Sequence, residues 1–381
     1  MPKTHYEILG VSEQADPDQI KRAYRRLARK LHPDVNPDKR ADAAMAKVNE
    51  AYRVLGDQGR RSSYDASRSS GIADAPSADF EWGGGIFVRR HMSIVDLPSP
   101  VEDVEFIGSR KEIAIAGFDN TVRFCSAATG KPFDELHLEG GVASTLQWCG
   151  SAGLIAAGAS EKSVSIWQIK GRQTIAAHRK KVDWISRVAI SPTGSQAVLA
   201  SVHRTILAME VSSGKTLYVR RRHEDAVTAV AVSWDGRLIA SGGNDQKVYL
   251  WNAASGDELA LITQRSPITG LEFSQDGSLL AITLVDHGVR IFELATGVLR
   301  TTLWGHEKPV ESVAFHPVHP FIATASRDGT AALWSLTDGS MKHRLRRRQG
   351  AVKSVRFSPD GKTLAAGGVD RCVDIFRVVA G

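Results

Sequence analysis

The sequence predicts a multidomain protein in which a small all-α region precedes a larger all-β region. Three observations lead to this prediction. Between residues 4 and 66, apolar side chains recur at three- and four-residue steps, which is the period of amphipathic helices. Residues 67–85 are rich in Ser, Ala, Gly and Asp and show little periodicity, as flexible linkers do. From Ile86 onward, short strand-like runs alternate with turn sequences and repeat along the chain.

The first long helix is predicted to begin at Asp16. Asp16 can cap the helix, Pro17 suits its first turn, and Gln19 can reach back to close a capping box. We expect the helix to end near residue 31, because Pro33 disfavours helical backbone at the residue before it. One apolar stripe runs along this helix, formed by Ile20, Ala23, Tyr24, Leu27 and Leu31.

A second long helix is predicted between that proline and Gly56, which serves as its stop signal. Its apolar face consists of Ala44, Val48, Ala51, Tyr52 and Leu55. Two such helices joined by a short polar loop must pack antiparallel to bury both apolar faces. Residues 1–66 are therefore expected to form one small all-α domain.

Each repeat of the all-β region contains a short apolar strand with a recognisable end. The last residues of these strands are Cys125, Trp167, Met209, Trp251, Phe292, Trp334 and Phe376. Successive ends lie 42, 42, 42, 41, 42 and 42 residues apart. Such a period, with four short strands in each unit, is typical of propeller blades. Residues 86–381 are therefore predicted to form an all-β seven-bladed propeller.

The last repeat ends at its third strand, so its fourth strand must come from elsewhere if the ring is to close. Residues 86–91 (IFVRRH) are similar to the fourth strands of other repeats, such as residues 217–223. An open sheet edge invites aggregation. We therefore expect residues 86–91 to supply the outer strand of the last blade.

Composition excludes several classes of protein. The formal charge is +7, and neither region is basic enough overall to indicate nucleic acid. No apolar run is long enough for a membrane span, and the N-terminus shows no apolar signal core. Cys125, Cys149 and Cys372 form no C-x-x-C pair and fall in apolar runs, so buried reduced thiols are expected. We expect a cytoplasmic protein with no metal site and no cofactor.

Two repeats share a His, a Ser or Thr, an Asp and a Trp at the same spacing. These sets are His223, Ser241, Asp245 and Trp251, and His306, Thr324, Asp328 and Trp334. With this pattern the chain resembles the WD-repeat family, which implies a buried, structural hydrogen-bonded set in each of the two blades. Other repeats keep only part of it, at Asp119, Asp286 or Asp370, or place His203 where Asp is expected. Those blades are predicted to be less stable.

Residues 1–66 contain motifs in a particular order. They are YEILGV (6–11), KRAYRRLARKL (21–31), HPD (32–34) and NEAYRVLGD (49–57), followed by YD (64–65). In this order and spacing, the region resembles the J-domain family over its whole length. The HPD tripeptide alone would be a weak match, but its place between two helices makes the resemblance specific. The resemblance implies that the partner is a DnaK-type ATPase chaperone.

The first long helix carries six cations opposite its apolar stripe, with no acid among them. They are Lys21, Arg22, Arg25, Arg26, Arg29 and Lys30. Like charges at these spacings repel by about 0.2–0.5 kcal/mol per pair, which favours an acidic partner surface over a simple solvated face. By the resemblance, that surface belongs to the DnaK-type chaperone. Asp34 would then be a fixed anion at the interface, Pro33 would stiffen the loop and His32 would orient it, while ATP and Mg²⁺ would belong to the partner.

Further basic clusters recur where the fourth strand of one repeat leads into the next. They contain Arg89, Arg90, Arg179, Lys180, Lys181, Arg220, Arg221, Arg222, Arg344, Arg346, Arg347 and Arg348. Two interpretations remain open, a charged rim that only aids solubility and a docking site for an acidic protein segment. RNA is less favoured, because no aromatic stacking residues are interleaved with the clusters.

The sequence supports two hypotheses for function. In the first, a co-chaperone stimulates ATP hydrolysis by a DnaK-type chaperone through the HPD loop and the basic helix, while the propeller acts as a protein-binding adaptor for a client or complex. In the second, a WD-repeat interaction scaffold only tethers the chaperone to an assembly. The intact HPD motif and basic helix favour the first. An enzyme is not expected, because no acid–base or nucleophile constellation can be assigned.

Overall fold

The computed structural model describes residues 5–31, 48, 51–52, 55, 86–108, 112–138, 142–159, 163–169, 173–179, 184–346 and 350–380. The chain divides into two compact units, residues 1–78 and residues 79–381. The sequence placed a linker at residues 67–85, and this segment lies outside the described residues. The HPD motif at residues 32–34 lies outside them as well.

Most of the described residues of the N-terminal unit are helical. Helix α1 spans His5–Leu9 and helix α2 spans Pro17–Leu31, while residues 48, 51, 52 and 55 are also helical. These elements share one apolar cluster, because described residues of the α2 stripe and of the apolar face predicted for the following helix pack together. The buried members of that cluster are Tyr6, Leu9, Ala15, Ile20, Val48, Ala51 and Leu55.

The C-terminal unit consists of seven four-stranded antiparallel sheets, which confirms the predicted seven-bladed propeller. Strand β1 (Ile86–Ile94) opens the unit. Blade 1 contains β2 (Val101–Ile107), β3 (Glu112–Gly117), β4 (Thr121–Ser126) and β5 (Pro132–His137). Blade 2 contains β6 (Ala143–Cys149), β7 (Leu154–Ala159), β8 (Ser163–Gln168) and β9 (Gln173–Arg179). Blade 3 contains β10 (Ile185–Ile190), β11 (Gln196–Ser201), β12 (Thr205–Glu210) and β13 (Thr216–Arg220).

The remaining blades follow the same order. Blade 4 contains β14 (Val227–Val232), β15 (Leu238–Gly243), β16 (Lys247–Asn252) and β17 (Glu258–Thr263). Blade 5 contains β18 (Ile268–Phe273), β19 (Leu279–Leu284), β20 (Val289–Glu293) and β21 (Val298–Leu303). Blade 6 contains β22 (Val310–Phe315), β23 (Phe321–Ser326), β24 (Thr330–Ser335) and β25 (Met341–Arg346). Blade 7 contains β26 (Val352–Phe357), β27 (Thr363–Gly368) and β28 (Cys372–Ala380).

Blade 7 obtains its fourth strand from the start of the unit. The order of its strands is β1-β28-β27-β26, and β1 runs antiparallel to β28 with Ile86 opposite Ala380. The Asp374 carboxylate accepts a hydrogen bond from the Ser93 hydroxyl and lies 3.7 Å from Arg90 Nε. The outer strand therefore spans residues 86–94, which is longer than the segment 86–91 expected from sequence.

The innermost strand of every blade is irregular at the same place. Its second residue has no partner in the register with the next strand, which is the pattern of a β-bulge. The bulge residues are Glu102, Ser144, Ser186, Thr228, Thr269, Glu311 and Lys353. The seven innermost strands thus present equivalent residues around the centre of the ring.

Apolar packing lies between neighbouring blades. One cluster contains both Phe124 of blade 1 and Trp167 of blade 2, and Cys125 and Cys149 are also buried. Cys372 is only half-buried, so the prediction of three buried thiols is wrong for this residue. It is the first residue of β28 and follows an exposed turn, and its Sγ lies 3.4 Å from the carbonyl oxygen of Asp370.

Candidate functional site

Helix α2 begins with the predicted capping box. The backbone N–H of Gln19 donates to Asp16 Oδ1 at 2.7 Å, and the backbone N–H of Asp16 donates to Gln19 Oε1 at 3.0 Å. Two amide groups that the helix itself leaves unpaired are thereby satisfied. This reciprocal pair fixes where α2 starts and so which side chains its polar face presents.

The polar face of α2 is cationic and exposed. Lys21, Arg22 and Arg26 are all exposed, and Arg22 Nε donates to the Asp18 carbonyl oxygen at 3.3 Å. The side chains of Arg25, Arg29 and Lys30 lie outside the described set. His32, Pro33 and Asp34 also lie outside it, so their roles stay predictions. No carboxylate neutralises the three described cations within the described part of this unit.

An aromatic contact connects α2 to the helical segment near residue 52. The rings of Tyr24 and Tyr52 are stacked, with centroids 4.1 Å apart and an angle of 13° between their planes. Val48, Ala51 and Leu55 are buried on the same side. The apolar side of α2 is therefore held against this segment, while Lys21, Arg22 and Arg26 remain exposed.

Blade 4 contains the hydrogen-bonded set that the sequence predicted. Trp251 Nε1 donates to Ser241 Oγ at 2.9 Å, Ser241 Oγ lies 2.8 Å from His223 Nε2, and His223 Nδ1 lies 2.9 Å from Asp245 Oδ2. Burial lowers the pKa of His223, which favours the neutral ring. Nδ1 then donates to the carboxylate and Nε2 accepts from the serine hydroxyl. The set is a closed chain of hydrogen bonds without a free reactive group.

Blade 6 repeats this arrangement with threonine in place of serine. Trp334 Nε1 donates to Thr324 Oγ1 at 2.8 Å, and Thr324 Oγ1 lies 2.7 Å from His306 Nε2. His306 Nδ1 lies 2.8 Å from Asp328 Oδ2. The pKa of Asp328 lies well below its usual range, because hydrogen bonds from His306, Thr330 and a backbone N–H outweigh the opposing effect of burial. The geometry of both sets supports a structural role.

Sequence reasoning missed how two incomplete blades hold their aspartates. In blade 1, Arg123 donates to both carboxylate oxygens of Asp119, at 3.0 and 2.5 Å. In blade 5, Arg290 donates to Asp286 at 2.8 Å. Each arginine lies four residues after its aspartate on the third strand, so the i,i+4 Asp–Arg spacing was the available signal. The Arg123 hydrogen bond lowers the pKa of Asp119.

A second feature that the sequence reasoning missed is a cavity of about 490 Å³ at the centre of the ring. Its lining combines carboxylates with cations and includes Glu102, Asp103, Glu105, Arg187, Glu272, Glu311, Lys353 and Arg356. Glu105, Glu272 and Arg356 occupy equivalent positions in their repeats, because whole repeats of 42 or 41 residues separate them. Charged residues at a position that holds Ala in other repeats were the signal that could have revealed the cavity.

Arg356 is the cation around which this network is built. Its Nε lies 3.2 Å from Glu105 Oε2, and one terminal nitrogen lies 4.0 Å from Glu272 Oε2. Glu272 also accepts the backbone N–H of Phe315 at 3.1 Å. Burial raises the pKa of Glu105 to about 8 and that of Glu272 to about 7, although the guanidinium opposes both shifts. Two carboxylates thus share one cation in a poorly solvated place.

Asp103 connects three blades at the same level. One of its carboxylate oxygens accepts the backbone N–H of Leu146 in blade 2 at 2.9 Å. The other accepts the Ser354 hydroxyl of blade 7 at 2.5 Å. Because blade 7 and blade 1 meet where the ring closes, Asp103 stabilises the closed ring.

The predicted basic rim is partly engaged in contacts within the propeller. Arg222 Nε lies 3.2 Å from Glu258, and Arg344 lies 3.5 Å from Glu307. Three members donate to backbone carbonyl oxygens, which occupies their guanidinium groups. These are Arg90 to Arg346, Arg220 to Gly256 and Arg344 to Gly305.

Other members of the rim have no such contact or lie outside the description. Arg89, Arg221 and Arg346 have exposed side chains. Lys180, Lys181, Arg347 and Arg348 lie outside the described residues, as does the side chain of Arg179. The described part of the rim therefore mixes engaged and exposed cations.

Two features are absent from the described residues. No helix there is long and apolar enough to cross a membrane. No group of three His, Cys, Asp or Glu side chains in the same set is arranged to hold a metal ion.

Comparison with known families agrees with the two units. Residues 4–65 match the family model described as the DnaJ domain. Residues 214–252, 297–335 and 339–377 match the model described as the WD domain, G-beta repeat. The first two of these matched repeats contain the third strands of blades 4 and 6, where the complete hydrogen-bonded sets lie.

Curated relatives match a limited share of the chain. The chaperone protein DnaJ of Leifsonia xyli is 52% identical over 83 residues, which is 22% of this chain and 22% of that protein. The DnaJ of Gloeothece citriformis is 48% identical over 88 residues, 23% of this chain and 24% of that protein. That of Staphylococcus epidermidis is 30% identical over 178 residues, 40% of this chain and 44% of that protein. The match thus spans less than half of each relative. The chain carries a DnaJ domain at residues 4–65 and, C-terminal to it, a seven-bladed β-propeller with WD repeats.

Proposed function

We propose that this protein is a co-chaperone that stimulates ATP hydrolysis by a DnaK-type chaperone and uses its propeller to bind a client or complex. The observation that carries the proposal is the DnaJ domain at residues 4–65, which contains His32, Pro33 and Asp34 directly after α2. The exposed cations of α2 support it, because they can steer encounter with an acidic surface and raise the association rate.

The HPD loop acts by binding and performs no chemistry of its own. To speed hydrolysis, the loop and the basic helix must bind the hydrolysis-competent state of the partner more tightly than its resting state. Asp34 supplies a fixed negative charge and His32 orients the loop around Pro33. The nucleotide and its metal ion belong to the partner chaperone.

The test is the steady-state ATPase rate of a DnaK-type chaperone with the full chain added. His32→Gln and Asp34→Asn are expected to reduce the stimulation at least about tenfold, or roughly 1.4 kcal/mol of coupling. His137→Gln and Asp225→Asn, which make the same changes on exposed propeller residues, are the matched controls and should stimulate normally. Full stimulation by both loop variants would refute the proposal.

The propeller is the adaptor in this proposal. Its ligand in this proposal is a protein, since repeated rigid blades offer a broad surface. The exposed rim residues Arg89, Arg221 and Arg346 suit an acidic segment. Replacing Arg346, Arg347 and Arg348 by Ala should lower recovery of partners in a salt-sensitive pull-down, and unchanged recovery would leave the rim a solubility feature.

The scaffold hypothesis is the alternative, in which the unit of residues 79–381 organises an assembly. In this case the DnaJ domain only tethers a chaperone to the assembly. A full-length Asp34→Asn variant that fails to stimulate the ATPase and still supports full cellular function would favour the scaffold. If the Asp34→Asn variant loses both ATPase stimulation and cellular function, the co-chaperone hypothesis is favoured.

A further inference from the structure

We propose that the strand pair β1–β28, which closes the ring, binds an acidic segment of a partner protein on one of its faces. The inference rests on the proposed role of the propeller as the protein-binding part, and it assigns a site apart from the rest of the basic rim. Strand β1 has 9 residues, whereas the outer strands of the other six blades have 5 to 7. Arg89 therefore lies inside its strand, whereas Arg220 and Arg346 are the last residues of theirs.

Two arginines face each other across this strand pair. Arg89 of β1 is directly opposite Arg377 of β28 in the register, and both side chains are exposed. Residues paired in this way project from the same face, with Cβ atoms about 4.5–5.5 Å apart, and like charges there are destabilising. Neither guanidinium forms a hydrogen bond or an ion pair with another residue in the described part of the chain. One face of the strand pair thus carries two cations without a compensating acid.

The neighbouring Arg90 shows what a structural arginine does at this place. Its guanidinium donates to the Arg346 carbonyl oxygen at 2.7 Å, its Nε lies 3.7 Å from Asp374, and its Cζ lies 5.6 Å from the centroid of the Phe376 ring. Arg90 thereby fastens β1 to blades 6 and 7. Because successive side chains of a strand point to opposite faces, Arg89 is turned away from all of these contacts.

Two further polar groups belong to the face of the arginine pair. Thr363 of β27 is directly opposite Arg377, so two guanidinium groups and a hydroxyl stand in one row across three adjacent strands. Partial burial lowers the pKa of His91, and the positive charges of Arg377 and Arg89 lower it further. The imidazole is therefore close enough to sense both guanidinium groups. A ligand that contributes negative charge would relieve the repulsion among them.

An apolar pair adjoins the cationic row on the same face. Phe87 is directly opposite Val379, each lies two residues from the arginine of its own strand, and Val379 is 59% exposed. Residues two apart in an extended chain also share one face. A partner segment with an acidic and an apolar residue two positions apart therefore matches both rows.

Protection of a free sheet edge explains this arrangement less well. Charged side chains on edge strands do prevent edge-to-edge association, and Arg89 lies on such a strand. Arg377 does not, since β28 is paired with β1 on one side and with β27 on the other. A guanidinium group binds a carboxylate through two parallel hydrogen bonds, so the facing pair fits a carboxylate-bearing segment.

The experiment measures binding of short capped peptides to the full-length protein by fluorescence anisotropy. The first peptide is a labelled serine chain that carries glutamate and, two positions later, leucine. The second has glutamine in place of glutamate, and the third places leucine directly after glutamate. The glutamine peptide should bind at least about tenfold more weakly than the first, and the third should also bind more weakly. Equal affinity for the glutamate and glutamine peptides would overturn the inference, as would tighter binding of a single-stranded RNA at the same arginines.

Variants locate the binding on the strand pair. Arg89→Gln and Arg377→Gln should each reduce binding of the first peptide to the level of the glutamine peptide. Arg300→Gln is the matched control, because Arg300 is an exposed arginine on the outer strand of blade 5, and it should bind as the wild type does. Both arginines of the site are exposed, so we expect unchanged melting by circular dichroism. Undiminished binding by a folded variant with both replacements would contradict the site.

A spectroscopic readout separates binding from a purely structural role. The bound carboxylate offsets the charges of Arg89 and Arg377, so the peptide should raise the pKa of His91, followed by NMR of its imidazole protons. An unchanged pKa of His91 at saturating peptide would count against binding beside this residue. The ATPase test uses no peptide, and the pull-down concerns residues 346–348, so the proposed function and this inference can fail separately.

Discussion

Ser241→Ala tests the hydrogen-bonded set of blade 4. Ser241 Oγ accepts from Trp251 Nε1 at 2.9 Å and lies 2.8 Å from His223 Nε2. Both partners are buried, with 1% and 5% of their surface exposed. Alanine leaves the indole N–H and the imidazole nitrogen unpaired, and each unsatisfied buried group costs about 1–3 kcal/mol. We expect the free energy of unfolding to fall by about 2–5 kcal/mol, because two groups that share one partner are not independent.

The assay is urea unfolding of the full chain, followed by tryptophan fluorescence. All eight tryptophans lie in the unit of residues 79–381, so their signal reports on the propeller. Ser213→Ala is the matched control, since this exposed hydroxyl donates to Glu210 on the surface, and it should change the free energy by less than about 0.5 kcal/mol. A Ser241→Ala variant no less stable than Ser213→Ala would refute the reasoning.

Three further predictions concern the incomplete blades, the cavity and the basic helix. Arg290→Leu removes the hydrogen bond to Asp286, which is partly exposed, so we expect the same unfolding assay to show a loss of about 1 kcal/mol. Burial raises the pKa of Glu272 to about 7, so the folded protein holds the proton of the Glu272 carboxyl group more tightly than the unfolded chain does. Its stability should then fall as pH rises from about 4.5 to 7, and Glu272→Gln should reduce that slope in urea unfolding at several pH values; an unchanged slope would contradict the assignment. Arg22→Glu with Arg26→Glu should raise the concentration for half-maximal ATPase stimulation about tenfold at low salt and by less at high salt, and equal effects at both would count against steering.

The seven blades were predictable because they depend on local patterns that repeat. Strand ends about 42 residues apart follow from short-range stereochemistry, and they survive in the blades whose hydrogen-bonded sets are incomplete. The capping box of α2 was predictable for the same reason, since Asp16 and Gln19 are three residues apart. Patterns of this kind need no knowledge of which strands meet across the ring.

The central cavity could not be read in the same way, because its contacts join distant parts of the sequence. Arg356 of blade 7 meets Glu105 of blade 1, with 251 residues between their positions. Within one repeat, nothing indicates that an isolated charge in a strand faces the centre of the ring rather than solvent, and only comparison with the repeats that hold Ala at that position gives a signal. The exposure of Cys372 could not be predicted either. Cys372 begins an apolar run, and the run did not reveal that this first residue is only half-buried.

The pairing of β1 with β28 has a consequence for synthesis on the ribosome. Ile86 emerges early and pairs with Ala380, which is made 294 residues later. At roughly 5–20 residues per second, this delay is on the order of 15–60 s. The DnaJ domain precedes β1, so it is complete throughout that interval, while the first strand of the ring waits for its neighbour. The outer strand of the last blade is therefore left without its neighbour during most of the time in which the propeller is made.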